Sequence, residues 1–393
     1  MSSSTPVITA VEQLMADYVE QQKTAGMVTL VSQSGNLIHQ QAHGFQDIAS
    51  QAPMSPDTIF RIYSMTKAIT SVALMTLFEQ GRFQLDDPAR RWIPALKTLK
   101  VYRNEGAYDD LESDITIRQL LTHTAGFSYG FDPDNEPVDQ LYGELWNTLK
   151  KDKPLTELMD IAFGLPLIAQ PGSRWHYSIA TDICGYLVEL MSDMPFGDYL
   201  QQTIFDPLNM FDTAFEVPEH KRHRFATLYG LKEGEPLAVL ETSKDSPFIP
   251  AANMEKVRLQ SGGGGLVSTI TDYWQFAQMM LNRGELNGVR IIKPETVDNM
   301  TRNHVAEELQ PLSFNGIFPE PVEGYGFGLG YCINMTESHF GSVGDFGWGG
   351  MADTYCWIDP KKRIVGILMQ QFMPSLTYSS RLDFRQAVYS ALR

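Results

Sequence analysis

Strand-like segments at both ends of the chain, with a long helical middle between them, constrain the fold most strongly. Alternating and apolar runs predict strands at residues 27–32, 37–43, 326–333, 354–358 and 363–369. Apolar periodicity predicts helices at residues 8–22, 68–78, 117–122, 155–163, 180–191, 196–204, 271–282 and 378–392. We therefore predict an α+β fold in which one sheet combines both chain ends. Its lobe would comprise residues 1–60 and 266–393, and residues 61–265 would form a mainly helical lobe.

Composition and charge exclude several classes of partner. With 43% hydrophobic and 20% charged residues, the 393-residue chain has the composition of a folded globular protein. The formal net charge of −16 argues against nucleic acids and anionic membranes as partners. Residues 1–6 lack the basic start and apolar core of a signal peptide. Three widely separated cysteines favour free thiols in a reducing compartment, so we expect a cytoplasmic protein. No spacing of histidines or cysteines indicates a metal site.

The segment Ser64-Met65-Thr66-Lys67 places a hydroxyl and an amine one helical turn apart, at the start of the apolar run 68–78. Residues at i and i+3 share a helix face, so the Lys67 amine can lie beside the Ser64 oxygen. The first turn of a helix also has unpaired N–H groups that can bind an oxyanion. This arrangement indicates an activated nucleophile. A serine cap followed by a surface lysine is the structural alternative for so short a pattern.

Two further segments suggest a site, although each also has a structural explanation. Tyr177 follows a Pro-Gly turn and precedes a predicted helix, so its phenol could enter a cleft and transfer protons. It could equally be a packing residue, because the chain contains 16 tyrosines. The glycines of Trp348-Gly349-Gly350 would let a substrate approach a strand edge closely, or they form a tight turn.

These three elements, in this order, resemble the serine β-lactamase and penicillin-binding protein superfamily, and within it the family VIII carboxylesterases. Other matching segments span nearly the whole chain: Leu85-Asp86-Asp87-Pro88, Leu120-Leu121-Thr122-His123-Thr124-Ala125-Gly126, Gln170-Pro171-Gly172-Ser173 and Gly264-Gly265-Leu266-Val267-Ser268-Thr269. The resemblance implies a class C β-lactamase/DD-peptidase-like fold, with an antiparallel sheet flanked by helices, an all-helical lobe and the site between them. Asp87 and His123 match scaffold positions.

The resemblance also implies roles for individual residues. Ser64 would attack an ester carbonyl while Tyr177, held as or near phenolate by Lys67, accepts its proton. The backbone N–H groups of Ser64 and Met351 would hold the oxyanion. The expected substrate-binding residues are Trp348, Gly349, Gly350, Phe127 and Ile179. No cofactor or metal is needed, and the partner would be a small-molecule ester.

Two departures from the β-lactamase pattern suggest the substrate class. Ile179 occupies the position of an asparagine that binds a substrate amide, and Trp348 replaces the Lys-Thr-Gly lysine that binds a carboxylate. An apolar wall favours neutral short-chain esters over anionic drugs or peptides. The unchanged nucleophile leaves room for weak β-lactam hydrolysis. Acyl transfer, D-amino-acid amide or peptide hydrolysis, and a non-catalytic binding protein are the alternatives, and the oligomeric state stays open.

Two literal motif matches do not fit their context. Gly126-Phe127-Ser128-Tyr129-Gly130 matches the G-x-S-x-G pattern, but that elbow requires a strand before the serine, and residues 117–122 are helix-like. Tyr102-Arg103-Asn104 matches the Y-x-N pattern but lies in a predicted loop shortly after Ser64. We therefore expect neither Ser128 nor Tyr102 to be catalytic.

Overall fold

The computed structural model describes residues 6–104, 106–148, 153–232, 234–240, 257–313 and 322–392. The first five residues, in the stretch that we interpret as lacking a signal peptide, lie outside these ranges. The helices are α1 Pro6–Glu20, α2 Thr66–Glu79, α3 Ile117–Leu121, α4 Pro137–Thr148, α5 Leu155–Ala162, α6 Ala180–Ser192, α7 Phe196–Leu200, α8 Asp206–Leu208, α9 Ile270–Leu281, α10 Pro294–Met300 and α11 Ser380–Ala391. Short 3-10 helices include Tyr63–Met65 and Glu219–Arg224, and Gln201–Phe205 forms a π-helical turn.

The strands lie mainly in the two terminal parts of the chain. They are β1 Gly26–Gln33, β2 Asn36–Asp47, β3 Ala52–Pro53, β4 Phe60–Arg61, β5 Lys100–Tyr102, β6 Tyr108–Asp110, β7 Tyr229–Lys232, β8 Glu235–Val239, β9 Val267–Ser268, β10 Glu285–Leu286, β11 Val289–Arg290, β12 Tyr325–Phe327, β13 Cys332–Asn334, β14 Phe346–Gly349, β15 Tyr355–Asp359, β16 Ile364–Gln370 and β17 Phe372–Met373. Within the described ranges, the large sheet has the order β12-β13-β14-β15-β16-β1-β2-β3. The predicted α+β class and antiparallel sheet are confirmed, whereas the domain boundaries stay a prediction.

Both faces of the central strands are covered, which explains why their sequences are almost continuously apolar. In β1, Met27 and Val31 pack against α1 and α11, in a cluster that includes Trp357 and Phe384. Val28 and Leu30 alternate with them and belong to the larger core on the opposite face. This larger core continues into the helical lobe.

Helix α2 lies within the larger core and begins beside the functional site. Every residue from Thr66 to Leu77 is buried. The apolar run 68–78 predicts this burial, because a helix that is apolar around its whole circumference packs against protein on all sides. Because α2 is surrounded by protein, the position of its first turn is well defined.

The structure corrects the prediction of a single strand at residues 326–333. The segment forms two strands, β12 and β13, that pair as a hairpin. Gly330 has a φ of 89°, and a Cβ there would lie 2.1 Å from Ser71 Oγ of α2. The chain reverses at this position, and the position requires glycine because no side chain would fit against α2. Residues 61–265, which we predict to be mainly helical, also contain β7 and β8, and these two strands form a second sheet with β17.

We expect Phe384→Ala to lower the free energy of unfolding by about 3–5 kcal/mol, since it leaves a cavity beneath α11. Phe384 is fully buried, and its ring lies 5.4 Å from that of Trp357, centroid to centroid. Leu382→Ala is the matched control on the same helix, because Leu382 is 54% exposed. Urea midpoints measure both effects. Equal midpoints for the two variants would contradict this packing.

Candidate active site

Ser64 lies in a tight turn that connects the sheet region with α2. Strand β4 pairs with β9 through Phe60 and Arg61, shortly before Ser64. The 3-10 turn Tyr63–Met65 follows, and Tyr63 adopts a φ of 43°. A positive φ at a tyrosine is strained and commonly found at functional sites. The turn places the Ser64 N–H at the open end of a helix, where it has no intrahelical acceptor.

The Lys67 amine lies beside the Ser64 hydroxyl, as the spacing predicts. Lys67 Nζ is 3.2 Å from Ser64 Oγ and donates to the Gly263 carbonyl at 2.6 Å. The lysine side chain is buried, with 1% exposure of the residue. Burial lowers the pKa of Lys67 to about 7, although the nearby Asp182 carboxyl acts in the opposite direction. The neutral amine is therefore readily populated near neutral pH, and its lone pair can accept the serine proton.

Tyr177 reaches the same place from the loop before α6. Its neighbours fix this loop, because His176 N donates to the His123 carbonyl and Ser178 N donates to His123 Nδ1. The Tyr177 phenol oxygen accepts a hydrogen bond of 3.1 Å from Trp348 Nε1. Lys67 Nζ lies 4.6 Å from the centre of the Tyr177 ring. The phenol, the amine and the serine hydroxyl thus converge, and His123 has the scaffold position expected for it.

Burial of Tyr177 opposes the phenolate form that the resemblance implies. It raises the pKa of Tyr177 well above its usual value, and this effect outweighs the hydrogen bonds from Ser64 and Trp348, which lower it. The pKa directions of Tyr177 and Lys67 therefore favour a neutral phenol beside a neutral amine.

The segment after β14 lies directly against the Ser64 turn. Pairing of β13 with β14 ends at Cys332 and Gly347, one residue before Trp348. A Cβ on Gly350 would lie 2.3 Å from the Ile62 carbonyl oxygen, and one on Gly349 would lie 2.3 Å from Arg381 Nη1. The two glycines therefore admit neighbouring protein atoms. Their expected role in admitting substrate has no support in these contacts.

A cavity of about 280 Å³, part of it open to solvent, lies between the Ser64 turn and the helical lobe. Its lining residues are Tyr63, Ser64, Tyr129, Phe131, Ser261, Gly263, Gly264 and Met351. Phe127 and Ile179, two of the expected substrate-binding residues, have 0% exposure and are not among them. Phe127 packs in the core behind the wall, and Ile179 is the residue immediately before α6. The aromatic wall consists of Tyr129 and Phe131 instead.

Asp182 is a residue of the site that sequence analysis missed. Its carboxyl accepts hydrogen bonds from Ser261 Oγ at 2.5 Å, Gly263 N at 3.0 Å and Tyr129 OH at 3.2 Å. Burial raises the pKa of Asp182, while the Lys67 charge and these hydrogen bonds lower it. Asp182 thus fixes Gly263 through its N–H, and the carbonyl of the same residue binds Lys67. An aspartate inside the apolar helix 180–191 was the available signal in the sequence.

The contacts of Ser128, the serine of the G-x-S-x-G match, indicate a structural role. Ser128 Oγ donates to Asp139 and lies 3.2 Å from His176 Nε2. Ser128 has 0% exposure and does not line the cavity, so a substrate carbonyl has no path to it. The three side chains connect the loop that follows Ser128 to the loop that carries Tyr177. Tyr102, the other literal match, lies in β5, with its ring against that of Tyr108.

The described residues contain no group of three or more His, Cys, Asp or Glu side chains that could hold a metal ion. None of the helices in these ranges combines the length and the apolar character that a membrane span requires. The basic run around His220 and His223 forms the 3-10 helix Glu219–Arg224, in which Arg224 pairs with Asp212 at 2.6 Å.

Comparisons with known proteins agree with this architecture. A family model described as Beta-lactamase matches residues 11–390. Esterase EstB of Burkholderia gladioli is 27% identical over 389 residues, which cover 95% of this chain and 92% of that protein. Monacolin J acid methylbutanoyltransferase of Aspergillus terreus is 26% identical, over 87% of this chain and 84% of that protein. The solved structure of EstCE1, a hydrolase with promiscuous acyltransferase activity, has a TM-score of 0.81 at 24% identity and covers 98% of both chains.

The family match includes both chain ends and the helical middle, so it applies to the sheet and to the site together. Similarity to EstB supports the family VIII branch that the sequence resembles, and similarity to EstCE1 supports the fold. Ser64 lies at the start of a buried helix and Lys67 follows one turn later, as the spacing of the two residues predicts. The chain therefore belongs to the β-lactamase family.

Proposed function

We propose that this protein is a serine carboxylesterase that hydrolyses neutral short-chain esters through an acyl-enzyme on Ser64. The observation that carries the proposal is the contact of 3.2 Å between the Ser64 hydroxyl and the buried Lys67 amine, at the wall of a cavity. Burial keeps this amine available as a base near neutral pH. Similarity to esterases such as EstB supports the same activity.

Acylation begins when Ser64 Oγ attacks the ester carbonyl and its proton passes to the neutral Lys67 amine. The N–H groups of Ser64 and Met351 bind the oxyanion, and such a donor typically contributes about 2.7–4 kcal/mol. As the carbon–oxygen bond to the alcohol breaks, the Tyr177 phenol gives its proton to the departing oxygen. The acyl-enzyme then contains a Lys67 ammonium and a Tyr177 phenolate.

Deacylation restores both groups. The phenolate of Tyr177 takes a proton from water as the water oxygen attacks the acyl carbon. The Lys67 ammonium returns its proton to Ser64 Oγ when the acyl bond breaks, and the acid leaves. This sequence begins and ends with a neutral amine and a neutral phenol, as the pKa directions of both residues favour. Trp348 Nε1 donates to the phenol oxygen and so stabilises the transient phenolate.

The cavity favours small uncharged acyl groups. Tyr129, Phe131 and Met351 supply apolar surface, and none of the lining residues in the described part of the chain is basic. A substrate carboxylate would therefore lose its hydration without gaining a cationic partner. The side chains of Tyr129 and Phe131 restrict the space beside Ser64, which opposes long acyl chains.

Acyl transfer is a second candidate, because the chain resembles a methylbutanoyltransferase and a hydrolase with promiscuous acyltransferase activity. Hydrolysis and transfer differ only in the nucleophile that reaches the acyl-enzyme. Product analysis with an added alcohol would separate them, since transfer yields a new ester and hydrolysis yields the acid.

We expect p-nitrophenyl acetate and butyrate to be hydrolysed faster than esters of eight or more carbons, by about tenfold or more in kcat/KM, since the pocket limits chain length. Nitrocefin should be a poor substrate because its carboxylate has no cation to bind. Ser64→Ala is the control and should abolish labelling by a serine-directed phosphonate. Preference for nitrocefin over the short esters would defeat the proposal.

The pH dependence follows from the lowered pKa of Lys67, about 7. Because acylation needs the neutral amine, kcat/KM should rise about tenfold per pH unit below the pKa and reach a plateau above it. Lys67→Arg stays charged throughout this range and should lose about 10²–10⁴-fold in activity. Initial rates measured across this pH range at constant ionic strength give the pH profile of kcat/KM. A flat profile from about pH 5.5 to 8.5 would exclude Lys67 as the base.

A further inference from the structure

The carbonyl oxygen of Gly350 is fixed from two sides. Arg381 Nη2 donates to it from α11, and Asp353 N donates to it at 3.1 Å across the turn. The cis peptide bonds of the described residues lie at Gln310-Pro311 and Met373-Pro374, so the bond between Gly350 and Met351 is trans. In a trans peptide the C=O and the following N–H point in opposite directions. A carbonyl held toward Arg381 therefore directs the Met351 N–H away from α11.

Arg381 is itself held by a buried carboxylate. Its Nε lies 2.8 Å from Asp353 Oδ1, and Asp353 is 1% exposed. Asp353 Oδ1 also accepts from Leu376 N at 3.2 Å, and Gln370 Nε2 donates to Oδ2 at 3.2 Å. Three contacts thus form a closed ring. Arg381 binds the Gly350 carbonyl, Asp353 pairs with Arg381, and the Asp353 N–H donates back to the Gly350 carbonyl. The φ of 66° at Asp353 indicates a turn that these contacts maintain.

The same peptide lies against the nucleophile turn. Met351 lines the cavity together with Ser64, and Thr354 Oγ1 donates to the Ile62 carbonyl at 3.4 Å. Among the described residues, no backbone or side-chain acceptor receives the Met351 N–H. A free N–H beside Ser64, with its direction set by the opposite end of the peptide, is preorganised to bind an oxyanion.

We propose that the Arg381–Asp353 ion pair is a positioning device that sets the orientation of the Met351 N–H. This inference rests on the proposed function, in which Met351 supplies one oxyanion donor. Arg381 touches no substrate and acts only through the Gly350 carbonyl. Loss of an oxyanion donor costs about 10²–10³-fold in kcat, so loss of its orientation alone should cost about 10–100-fold.

Arg385 provides a matched control on the same helix. It forms a buried ion pair with Asp345 at 2.7 Å, and it donates to the Phe340 carbonyl at 2.7 Å and to Tyr355 OH at 2.9 Å. These contacts lie one helical turn from Arg381 and fix a different loop. Arg385→Lys and Arg381→Lys therefore make similar changes to a buried ion pair, and only the second alters the Gly350 carbonyl.

The kinetic test compares Arg381→Lys, Asp353→Asn and Arg385→Lys on a short p-nitrophenyl ester. We expect the first two to lower kcat by about 10–100-fold with KM within about threefold, while Ser64 still reacts fully with a phosphonate. Arg385→Lys should keep kcat within about threefold of the parent protein. Unchanged kcat in Arg381→Lys, or an equal loss in Arg385→Lys at equal melting temperature, would overturn the proposal.

A second measurement separates this inference from the proposed function. In protein labelled with ¹⁵N-methionine, the Met351 amide signal can be assigned by its loss in Met351→Leu. We expect this signal to shift or split in Arg381→Lys and to stay unchanged in Arg385→Lys. If the parent protein hydrolyses no ester, the proposed function fails, and the signal still tests the peptide orientation. An unchanged Met351 signal in Arg381→Lys would overturn the positioning role.

Discussion

The Lys67 amine is buried, donates to the Gly263 carbonyl and lies over the rings of Tyr129 and Tyr177, and this burial sets the chemistry of the surrounding groups. Removing an ammonium group from water is costly, so the amine loses its proton readily. The Asp182 carboxyl nearby restores part of the positive charge, yet burial also raises its own pKa. Burial thus disfavours the charged forms of both groups, and we propose that protons move from the serine to the amine and from the phenol to a leaving group.

The two parts of the fold supply different halves of this site. The turn before α2, α2 itself and the loop before α6 position the groups that we propose to transfer protons, Ser64, Lys67 and Tyr177. The sheet positions Met351, which follows the end of β14, and α11 contributes Arg381, which holds the Gly350 carbonyl. Close contact of Gly350 with the Ile62 carbonyl joins the halves, because a larger residue there would separate the two N–H groups. The glycines of this segment therefore serve the fit between protein elements.

Substrate choice follows from what surrounds these groups. Trp348, which we expected to form an apolar wall, donates its indole N–H to the Tyr177 phenol oxygen and so acts on the phenol. Tyr129 faces the cavity with its ring and donates its hydroxyl to Asp182. The apolar wall and the proton-transfer network consequently share residues. A substitution that enlarges the pocket at Tyr129 would also disturb the network around Lys67.

The sequence by itself determined the fold class, most helices and the contact between Ser64 and Lys67, because these depend on local periodicity and on spacing within one helical turn. It did not determine the hairpin at Gly330, which depends on Ser71 of a distant helix, or the burial of Phe127 and Ile179 behind the cavity wall. Nor could it give the protonation of Tyr177 or the partners of Asp182. Those properties depend on how deeply each group is desolvated and on which groups from remote segments surround it. Tertiary packing alone decides both.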